Sequence, residues 1–154
     1  MSNPDFRAQL EALREPAPMT IDEALAAADP VTEIVSRLGR GGYQTMSAPE
    51  RVFWSVASFV DEVMNEGLEQ ALCGETRELL PLAAEFARRY GSPPVRDLFA
   101  DTEAAVADMD PDCLDALTER YFATEDDINE ALVAMASRNR EAFDLDTPRA
   151  GKGG

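Results

Sequence analysis

The amino-acid sequence predicts an all-α fold, a compact single-domain bundle of about five to seven helices. Three observations lead to this prediction. Alanine, leucine and glutamate are abundant, apolar residues recur at the spacing of a helix, and valine and isoleucine form no alternating strand-like runs. A chain of 154 residues is long enough for one domain with a hydrophobic core.

Capping residues mark where the helices begin. Thr20–Glu23 and Ser47–Glu50 match the capping box, in which a hydroxyl and a carboxylate each bind the other residue's unpaired backbone amide. Asp29-Pro30 and Asp110-Pro111 place an acidic N-cap before a proline that suits the first helical turn. Thr124–Asp127 is a weaker version of the same signal. Each of these positions therefore predicts a helix start.

Apolar periodicity between these signals predicts where the helices run. The longest helix is expected to begin near Ser47, because valines and phenylalanines repeat at helical spacing from Val52 to Val63. Further helical segments are predicted at residues 5–14, 21–38, 76–90, 95–108, 111–122 and 125–143. Pro81 requires the 76–90 helix either to kink or to begin just before this residue.

Three glycines, Gly39, Gly41 and Gly42, interrupt the helical pattern. Gly39 is predicted as the C′ residue that ends the preceding helix, because a phosphate-binding loop would need a preceding strand and another glycine spacing. We expect residues 1–46 to form short N-terminal helices and a glycine-rich connector packed on a main helical domain of residues 47–146. Residues 147–154 are predicted to be a disordered tail.

The charge balance limits the function classes. Thirty acidic residues against fourteen basic ones give a net charge of −16, and the chain has no histidine. This charge disfavours direct binding to nucleic acid or to an anionic membrane and favours a basic partner. Without histidine or a nucleophile motif, we expect no enzyme activity, no metal and no cofactor. A hydrolase that uses paired carboxylates is the third-ranked interpretation.

The cysteines and the apolar runs indicate the compartment. Cys73 and Cys113 show no metal-binding spacing and are predicted to be buried thiols in a reducing cytosol, with a disulfide as the alternative. The N-terminal residues do not resemble a signal peptide, and no run approaches the ~18 apolar residues of a membrane span. The sequence therefore predicts a cytoplasmic protein.

The stretch from Asp108 to Glu130 holds nine acidic residues and one base, Arg120. Four of the acids occupy ligand positions of a calcium-binding EF-hand loop, but Cys113 stands where the loop needs glycine. An N-capped acidic helix start is the favoured interpretation of that spacing. The nine candidate partner-binding residues are Asp108, Asp110, Asp112, Asp115, Glu119, Glu125, Asp126, Asp127 and Glu130.

Helical spacing predicts that these acids form a surface. Asp112, Asp115 and Glu119 fall on one face of a helix, opposite Leu114, Leu117 and Tyr121, which we expect to face the core. Two or three such helices side by side would approach the charge density of DNA. The simpler alternatives are a solvated face and an adaptation to a salty cytoplasm.

The segment from Ser47 to Gly74 carries a family resemblance. Its residues Glu62, Val63, Asn65, Gly67 and Gln70 match an E-V-N-N-G-G-F-x-Q-like pattern, while Met64, Glu66 and Leu68 depart from it. The segment resembles a bacterial DNA-mimic protein family, formerly a domain of unknown function, and the similarity extends to Phe143.

The resemblance implies an all-helical fold in which the motif residues are structural. Gly67 would permit a left-handed turn, while Asn65 and Gln70 would hydrogen-bond freed backbone groups. It also implies a homodimer and a partner that is a basic DNA-binding protein of the helix-turn-helix class of transcription regulators. The alternative partner is a toxin or nuclease that the chain inhibits.

Overall fold

The computed structural model describes residues 18–145, and in that range the chain forms seven α-helices, three short 3-10 helices and no strand. The predicted all-α fold is confirmed. The α-helices are α1 (Ile21–Leu25), α2 (Pro30–Gly41), α3 (Ala48–Glu66), α4 (Leu68–Cys73), α5 (Leu80–Tyr90), α6 (Pro93–Ala105) and α7 (Pro111–Arg138). The 3-10 helices are Tyr43–Thr45, Glu75–Leu79 and Arg140–Ala142. The predictions for residues 5–14 and 147–154 lie outside the described residues.

Helix α3 lies at the centre of the fold and contacts α2, α4, α5 and α7. Its apolar stripe is buried from Phe53 to Val63, as the sequence pattern predicts, while Val52 at its start is half-buried. Phe59 of α3 meets Phe99 of α6 and Tyr121 of α7 in an aromatic cluster whose ring centroids lie 5.5 to 6.3 Å apart. This cluster joins the acidic segment of the chain to the core.

The predicted helix caps are present. Thr20 and Ser47 both form complete capping boxes, and the side chains of Asp29 and Asp110 accept hydrogen bonds from backbone amides of the first turn. Ser47 also donates a hydrogen bond from its hydroxyl to the carbonyl of Ala142, at 2.7 Å. The start of α3 is thereby tied to the end of the described chain.

The prediction of two helices at residues 111–122 and 125–143 is wrong, because the first and most of the second belong to the single 28-residue helix α7, which ends at Arg138 before the 3-10 helix Arg140–Ala142. Helix α7, and not the 19-residue α3, is therefore the longest in the described range. Thr124 was the predicted cap of the second helix, but it is buried on the same face as Tyr121 and Ile128. Tertiary packing of this continuous stripe outweighs a weak local capping signal.

The glycine-rich connector begins later than predicted. Helix α2 continues through Gly39 and ends at Gly41, and Gly42 adopts the positive φ of 87°. The hydroxyl of Thr45 contacts the carbonyl oxygens of Gly41 and Gly42, each at 2.9 Å. These contacts satisfy backbone groups that the helix end leaves unpaired, which fixes the turn at Gly42 and not at Gly39.

Three other predicted boundaries change. The 21–38 segment divides into α1 and α2 at the Asp29 cap. The 76–90 segment divides into a 3-10 helix and α5, which begins at Leu80 and holds Pro81 in its first turn, where the missing amide hydrogen has no helical partner to lose. The 95–108 helix begins earlier, at Pro93, and ends at Ala105.

The prediction of buried cysteines is wrong, since Cys73 and Cys113 are both free and exposed. Cys73 is the last residue of α4, and Cys113 lies in the first turn of α7, outside its apolar stripe. Within residues 18–145, each helix is too short or too polar to cross a lipid bilayer.

Candidate partner-binding surface

Seven of the nine predicted partner-binding residues lie on α7, and Asp108 and Asp110 lie in the turn before it. Helical geometry, at about 100° per residue, divides the seven into three groups. The central row, here called the acidic face, consists of Asp112, Asp115, Glu119, Asp126 and Glu130. Glu125 and Asp127 flank this row on opposite sides, and Asp127 alone of the nine is half-buried.

The acidic face points to solvent because the opposite side of α7 is anchored in the core. Leu114, Leu117, Tyr121, Ile128 and Leu132 are all buried, with exposed fractions of 4% or less. Because these residues, with the buried Thr124 between Tyr121 and Ile128, recur at three- and four-residue spacing, their stripe fixes the rotation of the helix about its axis. The helix therefore holds the backbone of the acidic residues in place and directs their side chains to solvent.

Two contacts secure the flanks of α7. On one side, the backbone amide of Leu68 in α4 donates a hydrogen bond to the hydroxyl of Thr118, at 3.0 Å. On the other side, Arg120 pairs with Asp101 of α6, with nitrogen and oxygen 2.8 Å apart. The acidic face thus lies between α4 and α6, on a helix held from both sides.

A buried hydrogen bond adds to this anchoring. The hydroxyl of Thr102 donates to the carbonyl of Leu98, and its oxygen lies 2.8 Å from the Tyr121 hydroxyl, which therefore donates to it. Burial raises the pKa of Tyr121 well above its usual value. Tyr121 consequently remains neutral and adds no charge to the helix.

The charges of the acidic residues are not cancelled by neighbouring bases. None of the nine forms an ion pair within residues 18–145, where the ion pairs join other residues. Arg120, the one base in the stretch, is directed away from the acidic face by its contact with Asp101. Asp110 alone has a local hydrogen bond, since its carboxylate accepts from the amide of Cys113 at 3.0 Å.

The density of carboxylates on α7 approaches that of one DNA strand. Asp112 and Glu130 are eighteen residues apart, which corresponds to about 27 Å along the helix axis, or roughly eight base pairs. All seven carboxylates of α7 average one per about 4 Å, against one phosphate per 3.4 Å of a single strand, and the five of the acidic face average one per about 5 Å. The sequence prediction placed these acids on adjacent helices, whereas the structure places them on one.

The turn before α7 does not have the form of a calcium loop. Met109 lies four residues after the end of α6 and has a left-handed φ of 52°, and its amide donates to the carbonyl of Ala105 at 2.9 Å. Residues 111–119 are already helical, so the favoured interpretation of an N-capped helix start is confirmed. The described chain contains no group of three or more side chains able to hold a metal ion.

Sequence reasoning missed three features of this surface. Glu66 and Glu69 are exposed and flank Leu68, so they extend the negative charge beside α7. Phe122 is 51% exposed and lies three residues after Glu119 and four before Asp126, on the same side of the helix. The helical spacing that identified the acidic row would also have identified Phe122.

The family-pattern residues lie at the junction of α3 and α4. Gly67 has φ 91° and ψ 158°, so φ is positive as expected, but the conformation is extended and not a left-handed turn. Val63 is buried and its carbonyl accepts from the Gly67 amide, at 2.8 Å. Glu62 is half-buried.

The prediction that Asn65 and Gln70 bind freed backbone groups is wrong within residues 18–145. Both side chains are exposed, and the hydroxyl of Thr118 accepts the hydrogen bond from the Leu68 amide instead.

The fold and this surface define a class of protein, an all-helical acidic protein that presents unpaired carboxylates on one long helix. The chain belongs to the DMP19-like protein family, whose model matches residues 44–146. That match includes the pattern residues at the α3–α4 junction and the whole of α7. A search of curated proteins found no match, and neither did a search of solved structures.

Proposed function

We propose that this chain is a DNA mimic whose α7 surface binds the DNA-binding site of a basic protein and competes with DNA. The partner class that we propose is a transcription regulator with a helix-turn-helix motif. The observation that supports the proposal is the row of five unpaired carboxylates on the solvent side of α7, a helix whose rotation is fixed by its buried stripe. Membership of the DMP19-like family is consistent with it.

The physical basis is competition for the same cationic side chains. A DNA-binding protein contacts phosphates with arginine and lysine, and a carboxylate can accept the same charge-assisted hydrogen bonds. Because the core anchors α7 by its buried stripe, the backbone that carries the carboxylates does not have to be ordered on binding, and less entropy is lost than with a disordered acidic segment. The net charge of −16 also accelerates encounter with a positively charged partner.

Affinity capture from an extract of the native host tests this function. The purified chain is immobilised at low salt, and bound proteins are eluted either with duplex DNA or with high salt. We expect a DNA-binding protein that both treatments release. A partner that high salt releases but DNA does not would contradict mimicry and would favour an inhibitor of a toxin or nuclease.

Charge-reversal variants locate the surface. The triple variant Asp112→Lys, Asp115→Lys, Glu119→Lys is expected to lose capture of the partner. Glu75→Lys, Glu78→Lys, Glu141→Lys makes the same change in net charge at exposed acids in the 3-10 helices, outside α7, and is expected to retain capture. Equal loss in both variants would show that overall charge, and not the α7 surface, drives binding.

A further inference from the structure

Phe122 is the most exposed of the three large hydrophobic residues that are exposed within the described chain, at 51% against 39% for Tyr43 and 36% for Leu82. It lies on the outward side of α7, one turn from both Glu119 and Asp126. The ring thus has a carboxylate one turn before it and another one turn after it, on a helix whose other side is in the core. Burial of this ring against an apolar partner surface would be favourable, because it would remove apolar area from water.

The arrangement resembles the chemistry of a DNA groove. DNA presents apolar base surface, such as the thymine methyl group, between two rows of phosphates. A protein that reads DNA accordingly places apolar side chains between its arginines and lysines. Phe122 between Glu119 and Asp126 presents the complementary pattern, an apolar centre within an anionic surround.

We infer that Phe122 is the apolar anchor of the complex and enters an apolar pocket on the base-reading surface of a DNA-binding protein. The inference rests on the proposed function and specifies the partner further. The partner surface must combine a cationic rim with an apolar centre, and a simple polycation does not satisfy this requirement. Aromatic side chains at the centre of an interface, ringed by polar contacts, typically carry a large share of the affinity.

Two contributions to affinity follow, and they respond differently to salt. Carboxylate contacts weaken as ionic strength rises, because mobile ions screen exposed charges. Burial of the Phe122 ring is not screened. Removal of the ring should therefore lower affinity by the same factor at every salt concentration.

The test compares Phe122→Ala with the matched control Leu82→Ala, which truncates an exposed apolar side chain on α5. The probes are the purified DNA-binding protein obtained by DNA elution and, separately, polylysine. We expect Phe122→Ala to weaken binding to the protein about thirtyfold, with an unchanged salt slope. Binding of polylysine by both variants, and binding of the protein by Leu82→Ala, should equal that of the unmodified chain.

Each other outcome overturns the inference. Unchanged affinity of Phe122→Ala for the DNA-binding protein would show that Phe122 is not the anchor. The chain would still compete with DNA in that case, so the proposed function would survive. If Phe122→Ala weakened binding to polylysine as much as binding to the DNA-binding protein, the substitution would act by disturbing the neighbouring carboxylates and not by removing an apolar contact. Loss of self-association in sedimentation would assign Phe122 to contacts between copies. If no captured protein is released by DNA, the proposed function and the inference both fail.

Discussion

The continuity of α7 gives a sharp prediction, because the sequence suggested a break near Ala123 where the structure has none. Ala123 is exposed in the middle of the helix, so Ala123→Pro alters the backbone without removing buried packing. Proline removes the hydrogen bond from this amide to the Glu119 carbonyl, and its ring clashes with that carbonyl. We expect a loss of about 3 kcal/mol in the free energy of unfolding.

Urea denaturation followed by circular dichroism measures this loss. Ala123→Gly is the control, because it keeps the hydrogen bond and should cost only about 1 kcal/mol. For a chain of this length the proline variant should melt roughly 9 °C lower, at about 3 °C per kcal/mol. A loss below about 1 kcal/mol for Ala123→Pro would refute the continuous helix and support two helices that meet near this position. The same variant should weaken partner binding, since a kink changes the direction of Asp126 and Glu130 relative to Asp112.

Two further predictions concern the scaffold. Tyr121→Phe removes the hydrogen bond to Thr102 and should cost about 1 kcal/mol at pH 8. Folding raises the pKa of Tyr121 above its value of about 10 in the unfolded chain. The contribution of its hydroxyl to the free energy of unfolding is therefore complete below about pH 10 and declines as the pH rises further. Urea titrations should show that the free energy of unfolding falls less between pH 8 and pH 11 in Tyr121→Phe than in the unmodified chain. An identical fall in both would show that Tyr121 is not the buried group that ionises. Gly67→Ala places a side chain at φ 91° with no atom within 4 Å of its Cβ, so backbone strain of about 1–3 kcal/mol should be the whole cost. An unchanged free energy of unfolding would show that Gly67 does not hold this conformation.

Local chemistry explains what the sequence predicted correctly. A capping box such as Ser47–Glu50 lies within one helical turn, so its residues specify the helix start without help from the rest of the chain. The inward stripe of α7 is also local, since the spacing of Leu114, Leu117 and Tyr121 defines one face of any helix. The fold class and the outward direction of the acids follow from these patterns.

Contacts between distant residues explain what it could not predict. Thr124 resembles a helix cap in sequence, and only the packing of α7 on its neighbours reveals it as a buried residue. Whether Arg120 neutralises the acidic face depends on Asp101, nineteen residues earlier, which draws it toward α6. The exposure of Cys113 depends in the same way on which side of α7 meets the core.

Direct competition on DNA tests the central claim. The DNA-binding protein recovered by DNA elution is bound to a fluorescently labelled duplex, and displacement by the acidic chain is followed by fluorescence anisotropy. The unmodified chain and the control triple variant at Glu75, Glu78 and Glu141 should displace the duplex. The triple lysine variant at Asp112, Asp115 and Glu119 should leave the duplex bound. If that variant displaced the duplex as effectively as the unmodified chain does, the claim that the acidic face of α7 competes with DNA would be contradicted.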